Sequence, residues 1–164
     1  MTTEDIADAL ELTSKLLELH NENSFKVKAM ATAAYRLSKT RLDLNDKSVE
    51  ELTQLEGIGK GIAEKIIELN QRDSTKELDE LLSKTPQGVI EMLGIKGIGP
   101  KKVRQLWKEL ELESVTELLY ACHENRLLEL KGFGEKTQQT IIQKIKFKKN
   151  NAGKFHFSYA EKIA

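Results

Sequence analysis

The pattern glycine, apolar residue, glycine occurs three times in this sequence and constrains the fold more than any other feature. Each copy has an apolar residue two positions before its first glycine, and a pair of apolar residues nine and ten positions after it. A shared apolar register of this kind predicts three copies of one structural unit. The copies are LEGIGKGIAEKII from Leu55, IKGIGPKKVRQLW from Ile95 and LKGFGEKTQQTII from Leu130.

The repeated unit is interpreted as two helices joined by a tight hairpin. Its first glycine (Gly57, Gly97 or Gly132) suits the positive φ with which many helices end. The apolar residue between the glycines should point inward and hold the two helices together. The second glycine (Gly59, Gly99 or Gly134) leaves the first amides of the next helix without a covering side chain. Such amides, at the positive end of a helix dipole, form a cradle for phosphate.

Lysines follow each hairpin in the first turn of the next helix: Lys60, then Lys101 and Lys102, then Lys136. A cation at this end opposes the helix dipole and costs about 0.3–1 kcal/mol. A sequence selected for stability alone would place Asp or Glu there, so the lysines predict an anion that compensates them. The alternative is that they are solvated surface lysines on a packed helical pair.

The remaining signals predict an all-α fold, because no segment shows the alternation of a β-strand. The two prolines, Pro86 and Pro100, are placed to begin helices. Four helix starts, among them the one at Pro86, are indicated by capping patterns. These are Ser48 with Glu51, Ser74 with Glu77, Ser114 with Glu117, and Thr85 before Pro86.

The chain divides into two small helical domains and a tail. Residues 1–78 should form a helical bundle with one hairpin, residues 79–148 a second unit with two hairpins, and residues 149–164 a tail. The predicted core of the first domain consists of Ile6, Leu10, Leu17, Phe25, Val27, Leu37, Leu52 and Ile66. The inward stripe of the second consists of Val103, Leu106, Trp107 and Leu110.

Composition excludes several classes of protein. No apolar run approaches the ~20 residues that span a bilayer, so a cytoplasmic protein is expected. We also expect the chain to be a monomer. The single Cys122 cannot form an internal disulfide, and the three histidines are too scattered for a zinc cluster. The 26 basic and 26 acidic residues balance, but residues 131–154 hold seven lysines against Glu135, so a basic face is still possible.

The four runs SFKVKAMATAAYRL, LEGIGKGIAEKIIEL, LGIKGIGPKKVRQLWKELEL and LLELKGFGEKTQQTIIQKI occur in an order that resembles a known family. About residues 4–148 resemble the N-terminal region of bacterial family X DNA polymerases, relatives of DNA polymerase beta. The resemblance implies tandem helix-hairpin-helix units: a lyase-type domain, then a DNA-binding subdomain. The implied function is sequence-independent binding of gapped or nicked duplex DNA in repair.

By this resemblance, Lys65 matches the lysine that forms a Schiff base in relatives with 5′-deoxyribose phosphate lyase activity. Lys26 matches a basic position of the same pocket. Three departures count against catalysis: Met30 replaces a tyrosine, Phe25 a histidine and Gly61 a lysine. A lyase is therefore one alternative function, and a module that binds only other proteins is a second.

The resemblance also implies partners and ions. A palm domain with the polymerase aspartates would follow residues 149–164, so this chain alone is expected not to synthesise DNA. No cofactor is expected, except Na⁺ or K⁺ held by backbone carbonyls of Ile95 and Gly97. The expected DNA contacts are Lys26, Lys28, Gly57, Gly59, Lys60, Gly61, Gly97, Gly99, Lys101, Lys102, Arg104, Gly132, Gly134 and Lys136.

Overall fold

A computed structural model describes the backbone of residues 1–150 and the side chains of residues 1–147. These residues form nine α-helices and one 3₁₀ helix without a β-strand, which confirms the all-α prediction. The helices are α1 Thr3–Leu19, α2 Ser24–Ser38, α3 Val49–Leu52, α4 Lys60–Arg72, α5 Lys76–Ser83, α6 Gln87–Leu93, α7 Pro100–Glu109, α8 Val115–His123, the 3₁₀ helix Arg126–Glu129 and α9 Glu135–Asn150. None of these helices is long and apolar enough to span a bilayer. All but the first two residues of the predicted tail lie outside the described residues.

Two of the predicted helix starts are confirmed. Ser48 Oγ accepts a hydrogen bond from the Glu51 amide at 3.2 Å, and the Ser48 amide donates to Glu51 Oε1 at 3.2 Å, which completes a capping box at α3. Ser114 Oγ accepts from the Glu117 amide at 3.1 Å and caps α8. Both serines satisfy an amide that the first helical turn leaves unpaired.

Two other starts are shifted by one residue from the prediction. Thr75, not Ser74, caps α5 by accepting from the Leu78 amide at 3.0 Å. Ser74 Oγ donates instead to Asp79 Oδ1 at 2.6 Å. Pro86 occupies the cap position of α6 rather than its first turn, because the buried Thr85 hydroxyl donates to Leu81 of the preceding helix.

The first half of the chain packs α1 against α2, and its predicted core is confirmed except at Phe25 and at Val27, which is only partly buried. The prediction that Phe25 belongs to the core is wrong, since its side chain is 85% exposed. On α2 the buried stripe runs through Met30, Ala33, Ala34 and Leu37. Five helical residues rotate by about 500°, which places Phe25 about 140° away from Met30 and therefore on the outer face.

The second half docks onto the C-terminal end of α1. Arg104 Nη1 on α7 donates to the Leu19 carbonyl at 2.7 Å, and the His20 ring meets Trp107 edge-on with centroids 5.6 Å apart. Buried side chains form one continuous cluster through both halves. The domain boundary near residue 78 stays a prediction, and that residue lies inside α5.

Candidate nucleic-acid interface

The three hairpins, which are hairpin 1 at residues 57–59, hairpin 2 at 97–99 and hairpin 3 at 132–134, share one backbone conformation at their first glycine. Gly57, Gly97 and Gly132 have φ of +84°, +100° and +88°, as the repeat predicts. This left-handed region is open to glycine and strained for most other residues. The chain therefore reverses at the same point of each unit.

The middle residue of each hairpin is buried, which confirms that it joins the two helices. Ile58, Ile98 and Phe133 are 4%, 5% and 5% exposed. The residue that precedes each hairpin by one turn is fully buried as well; these residues are Leu52, Met92 and Leu127. The loops themselves remain at the surface, because the glycines on both sides of each middle residue are exposed.

The second glycine of each hairpin has ordinary backbone geometry. Gly59 and Gly99 have φ of −89° and −88° with extended ψ, and a Cβ built at Gly59, Gly99 or Gly134 would meet nothing within 4 Å. The fold therefore does not require glycine at these positions. A ligand that approaches the backbone closely would require it.

The helices that follow the first two hairpins begin without a capping side chain. Helix α4 starts from Gly59 and α7 from Gly99, and neither has an acidic residue in its first turn. Helix α6 also lacks a side-chain cap. The remaining α-helices up to α8 are capped by Thr2, Asn23, Ser48, Thr75 and Ser114. Uncapped amides at an exposed glycine are available to an external acceptor.

Hairpins 2 and 3 are joined by side chains of α7. Lys102 Nζ donates to the Gly132 carbonyl at 3.3 Å and lies 5.2 Å from the centre of the Phe133 ring. Gln105 Nε2 donates to the Lys131 carbonyl at 3.1 Å. Lys102 is thus committed to a contact between hairpins, and its predicted contact with DNA stays a prediction.

The other lysines in the first turns of these helices have free side chains. Lys60, Lys101 and Lys136 are exposed and form no hydrogen bond or ion pair with any residue that the structure describes. They stand in the first turns of α4, α7 and α9. Each adds a positive charge beside the amides of its own helix start, although Glu135 stands beside Lys136 in the first turn of α9.

A cleft of about 420 Å³ lies between the turn from α1 to α2 and the start of α7. Its basic lining consists of Lys28, Lys101 and Arg104, and its acidic lining of Glu18 and Glu22. Arg104 is held by the Leu19 carbonyl, whereas Lys28 is exposed and forms no hydrogen bond or ion pair within the described part of the chain. The cleft therefore brings together basic residues that the sequence separates.

Lys26 and Lys65 meet at one carboxylate. Lys26 Nζ lies 2.7 Å from Glu77 Oε2, and Lys65 Nζ lies 3.3 Å from Glu77 Oε1. The hydrogen bond to this carboxylate raises the pKa of Lys26. Burial alone would raise the pKa of Glu77, but the hydrogen bond from Lys26 and the charges of both lysines together lower it. The resemblance predicted that Lys26 and Lys65 share a pocket. It did not predict the acidic residue of that pocket, Glu77.

Comparison with known proteins agrees with this geometry. Residues 1–75 match the model of the helix-hairpin-helix domain, and residues 89–147 match that of the SAM-like helix-hairpin-helix tandem. The chain carries helix-hairpin-helix domains in both halves. It is also 32% identical over all 164 residues to the DNA polymerase/3′-5′ exonuclease PolX of Bacillus subtilis (strain 168). The predicted resemblance to the N-terminal part of a family X DNA polymerase is thereby confirmed.

The chain spans 28% of the length of this relative. The polymerase and exonuclease activities in the relative's name are therefore those of a longer protein. The matched helix-hairpin-helix stretches contain all three hairpins, and Glu77 lies between the two stretches.

The expected cation site at hairpin 2 stays a prediction. In the described part of the chain, no three His, Cys, Asp or Glu side chains form a group that could hold a metal ion. A monovalent ion would have to use the backbone carbonyls of Ile95 and Gly97 in the helix-hairpin-helix loop.

Two charged residues near the site were missed from the sequence. Arg36 on α2 lies beside hairpin 1, since a Cβ built at Gly57 would be 3.0 Å from Arg36 Cγ, and its guanidinium pairs with Glu56 at 3.1 Å. The second is Glu77, which the sequence predicted only as part of a helix cap. Both residues pair with side chains that are distant in the sequence, and local spacing carries no signal for such pairs.

Proposed function

We propose that this chain binds duplex DNA through its phosphate backbone, without reading sequence, at gaps or nicks that arise during repair. It acts as the N-terminal DNA-gripping part of a family X DNA polymerase. The observation that carries the proposal is the pair of open helix starts at Gly59 and Gly99. Each offers uncapped amides, open space and a free lysine at one point of the surface.

Phosphate contacts position a protein on DNA and carry no direct sequence information. Binding is therefore expected to be independent of sequence, with a dissociation constant of roughly 10⁻⁴ to 10⁻⁶ M at physiological salt. The affinity should fall steeply as the salt concentration rises. Fluorescence anisotropy with a 5′-phosphorylated gapped duplex and an intact duplex, over a salt series, tests both properties. Tighter binding of the gapped duplex supports the role at gaps, and equal binding limits the function to duplex DNA in general.

Gly99→Ser tests whether the amides of α7 bind phosphate. The backbone at Gly99 suits a serine cap, so stability should change by only a few tenths of a kcal/mol. The new hydroxyl would accept the hydrogen bonds that a phosphate otherwise accepts. Charge-assisted bonds contribute ~1.5–3 kcal/mol, so DNA affinity should fall roughly tenfold or more.

Gly99→Ala is the matched control for this experiment. Alanine fills the same space but cannot cap, so it should weaken DNA binding and also cost about 1 kcal/mol of stability. Unfolding midpoints and anisotropy are measured for both variants. Wild-type DNA affinity in two folded variants would exclude the cradle at hairpin 2.

The lyase alternative depends on Lys65 and stays a prediction. A Schiff base needs an amine with a free lone pair, whereas Lys65 is 3.3 Å from a carboxylate and 26% exposed. Borohydride reduction on an abasic gapped duplex should yield little covalent adduct if Lys65 remains paired. An adduct that forms in the wild type and disappears in Lys65→Ala would establish the lyase instead.

A further inference from the structure

Glu77 connects three helices by its carboxylate. It lies in the first turn of α5, and its two partners lie on α2 and α4. The side chain is only 15% exposed, whereas Lys26 remains 51% exposed and Lys65 26%. Solvent, and any large anion in solvent, therefore reaches the ammonium groups more easily than it reaches the carboxylate.

The two contacts of the carboxylate are unequal. Oε2 accepts a charge-assisted hydrogen bond from Lys26 at 2.7 Å. Oε1 is shielded from solvent and accepts no hydrogen bond of good geometry from the described residues, so its contact with Lys65 at 3.3 Å is mainly Coulombic. For a buried carboxylate oxygen without a hydrogen bond, the free-energy cost of losing its hydration is only partly compensated.

The charges around the carboxylate do not cancel. Two ammonium groups against one carboxylate leave one positive charge within this group of three, beside α4, and Glu22 is a further acid close enough to act on Lys26. Glu77 thus occupies the position between two cations that an external oxyanion would occupy. Phosphate oxygens are the corresponding oxyanions of DNA.

We propose that Glu77 is a competing carboxylate that lowers the affinity of the Lys26 and Lys65 pair for phosphate groups of DNA. This inference rests on the proposed function, because it assumes that DNA reaches this surface. When a phosphate binds, one or both ammonium groups turn from Glu77 toward the phosphate oxygens. Glu77 then sets how much binding energy the two lysines contribute, and so sets the affinity of this surface for DNA.

Glu77→Gln is the test, because glutamine keeps the shape and removes the charge. DNA should bind about two- to fivefold tighter, the range expected when an ion pair of modest strength no longer competes. The slope of log K against log salt should change by less than about one, since the same two lysines meet phosphates in the wild type and in the variant. Glu11→Gln is the matched control, for it removes a carboxylate that pairs with Lys15 at 3.5 Å on α1.

Two duplexes, a gapped one with a 5′-phosphate and the same one with a 5′-hydroxyl, identify the phosphate concerned. A gain on both indicates backbone diesters, and a gain on the phosphorylated duplex alone indicates the terminal phosphate. Either result supports the inference. In the Lys26→Gln, Lys65→Gln background, Glu77→Gln should have no larger effect than Glu11→Gln.

Folding is checked by circular dichroism and thermal melting, because Glu77→Gln also removes two ion pairs. Glu77→Asp provides a second variant that keeps the charge but is too short to reach both lysines, and it should show a smaller gain. A folded Glu77→Gln protein that binds DNA no tighter than Glu11→Gln overturns the inference alone. A wild-type chain that binds neither duplex overturns the proposed function together with the inference.

Discussion

Gly88→Ala should destabilise the protein by about 3 kcal/mol or more, at the upper end of what overpacking costs. A Cβ at this position of α6 would lie 1.9 Å from the Glu113 carbonyl oxygen and 2.7 Å from Ser114 Cα. Both are backbone atoms at the start of α8, so no side chain can move aside. Helix α6 would have to shift, and its residues Val89 and Met92 are fully buried.

The thermal midpoint should then fall by about 6–12 °C for a chain of this size. Gly61→Ala is the matched control, because a Cβ there meets nothing within 4 Å and the residue is helical. Alanine gains about 0.5–1 kcal/mol over glycine in a helix interior, and the gain at this second residue of α4 should be no larger than that. The prediction fails if the two variants melt within a degree or two of each other.

Lys101→Glu should weaken DNA binding by roughly tenfold at low salt and make the salt slope shallower by about one. The substitution removes one phosphate contact and adds a repulsive charge beside the open amides of α7. Stability should rise slightly, by about 0.3–1 kcal/mol, because an acid at a helix N-terminus favours the dipole. Binding and stability therefore move in opposite directions.

Lys108→Glu on the last turn of α7 is the control, since it makes the same charge change at the other end of the same helix. Its effect on DNA affinity should be at least several-fold smaller. If the hairpins bind only other proteins, Lys101→Glu leaves DNA affinity unchanged. A uniform loss in both variants would indicate attraction to overall charge, without a site at hairpin 2.

The hairpins could be predicted from the sequence because their determinants are local. A glycine with positive φ, a buried apolar neighbour and a second exposed glycine lie within three residues, and the repeat shows the same register three times. The same locality explains the small errors. Ser74 and Thr75 are both competent caps, and in the structure the buried Thr75 caps α5 while Ser74 bonds to Asp79.

The parts that could not be predicted depend on contacts between distant residues. Glu77 reaches Lys26 across 51 positions, and the close approach of Gly88 to Glu113 joins two helices that no spacing rule relates. The prediction for Phe25 failed for another reason. It relied on hydrophobicity alone, although the helical period places this residue on the outer face. Resemblance to a family supplied Lys26 and Lys65, but not their acidic partner.

Trp107 is the single tryptophan of the chain, and it lies where α1 meets α7. Its indole is partly buried against His20, with Lys108 Nζ 3.8 Å from the ring centre on the other side. Intrinsic fluorescence excited at the indole band therefore reports on the surroundings of this ring, which include the contact between the two halves of the molecule. A red-shifted emission with unchanged helical ellipticity would show the halves separating while each remains folded, without any attached dye.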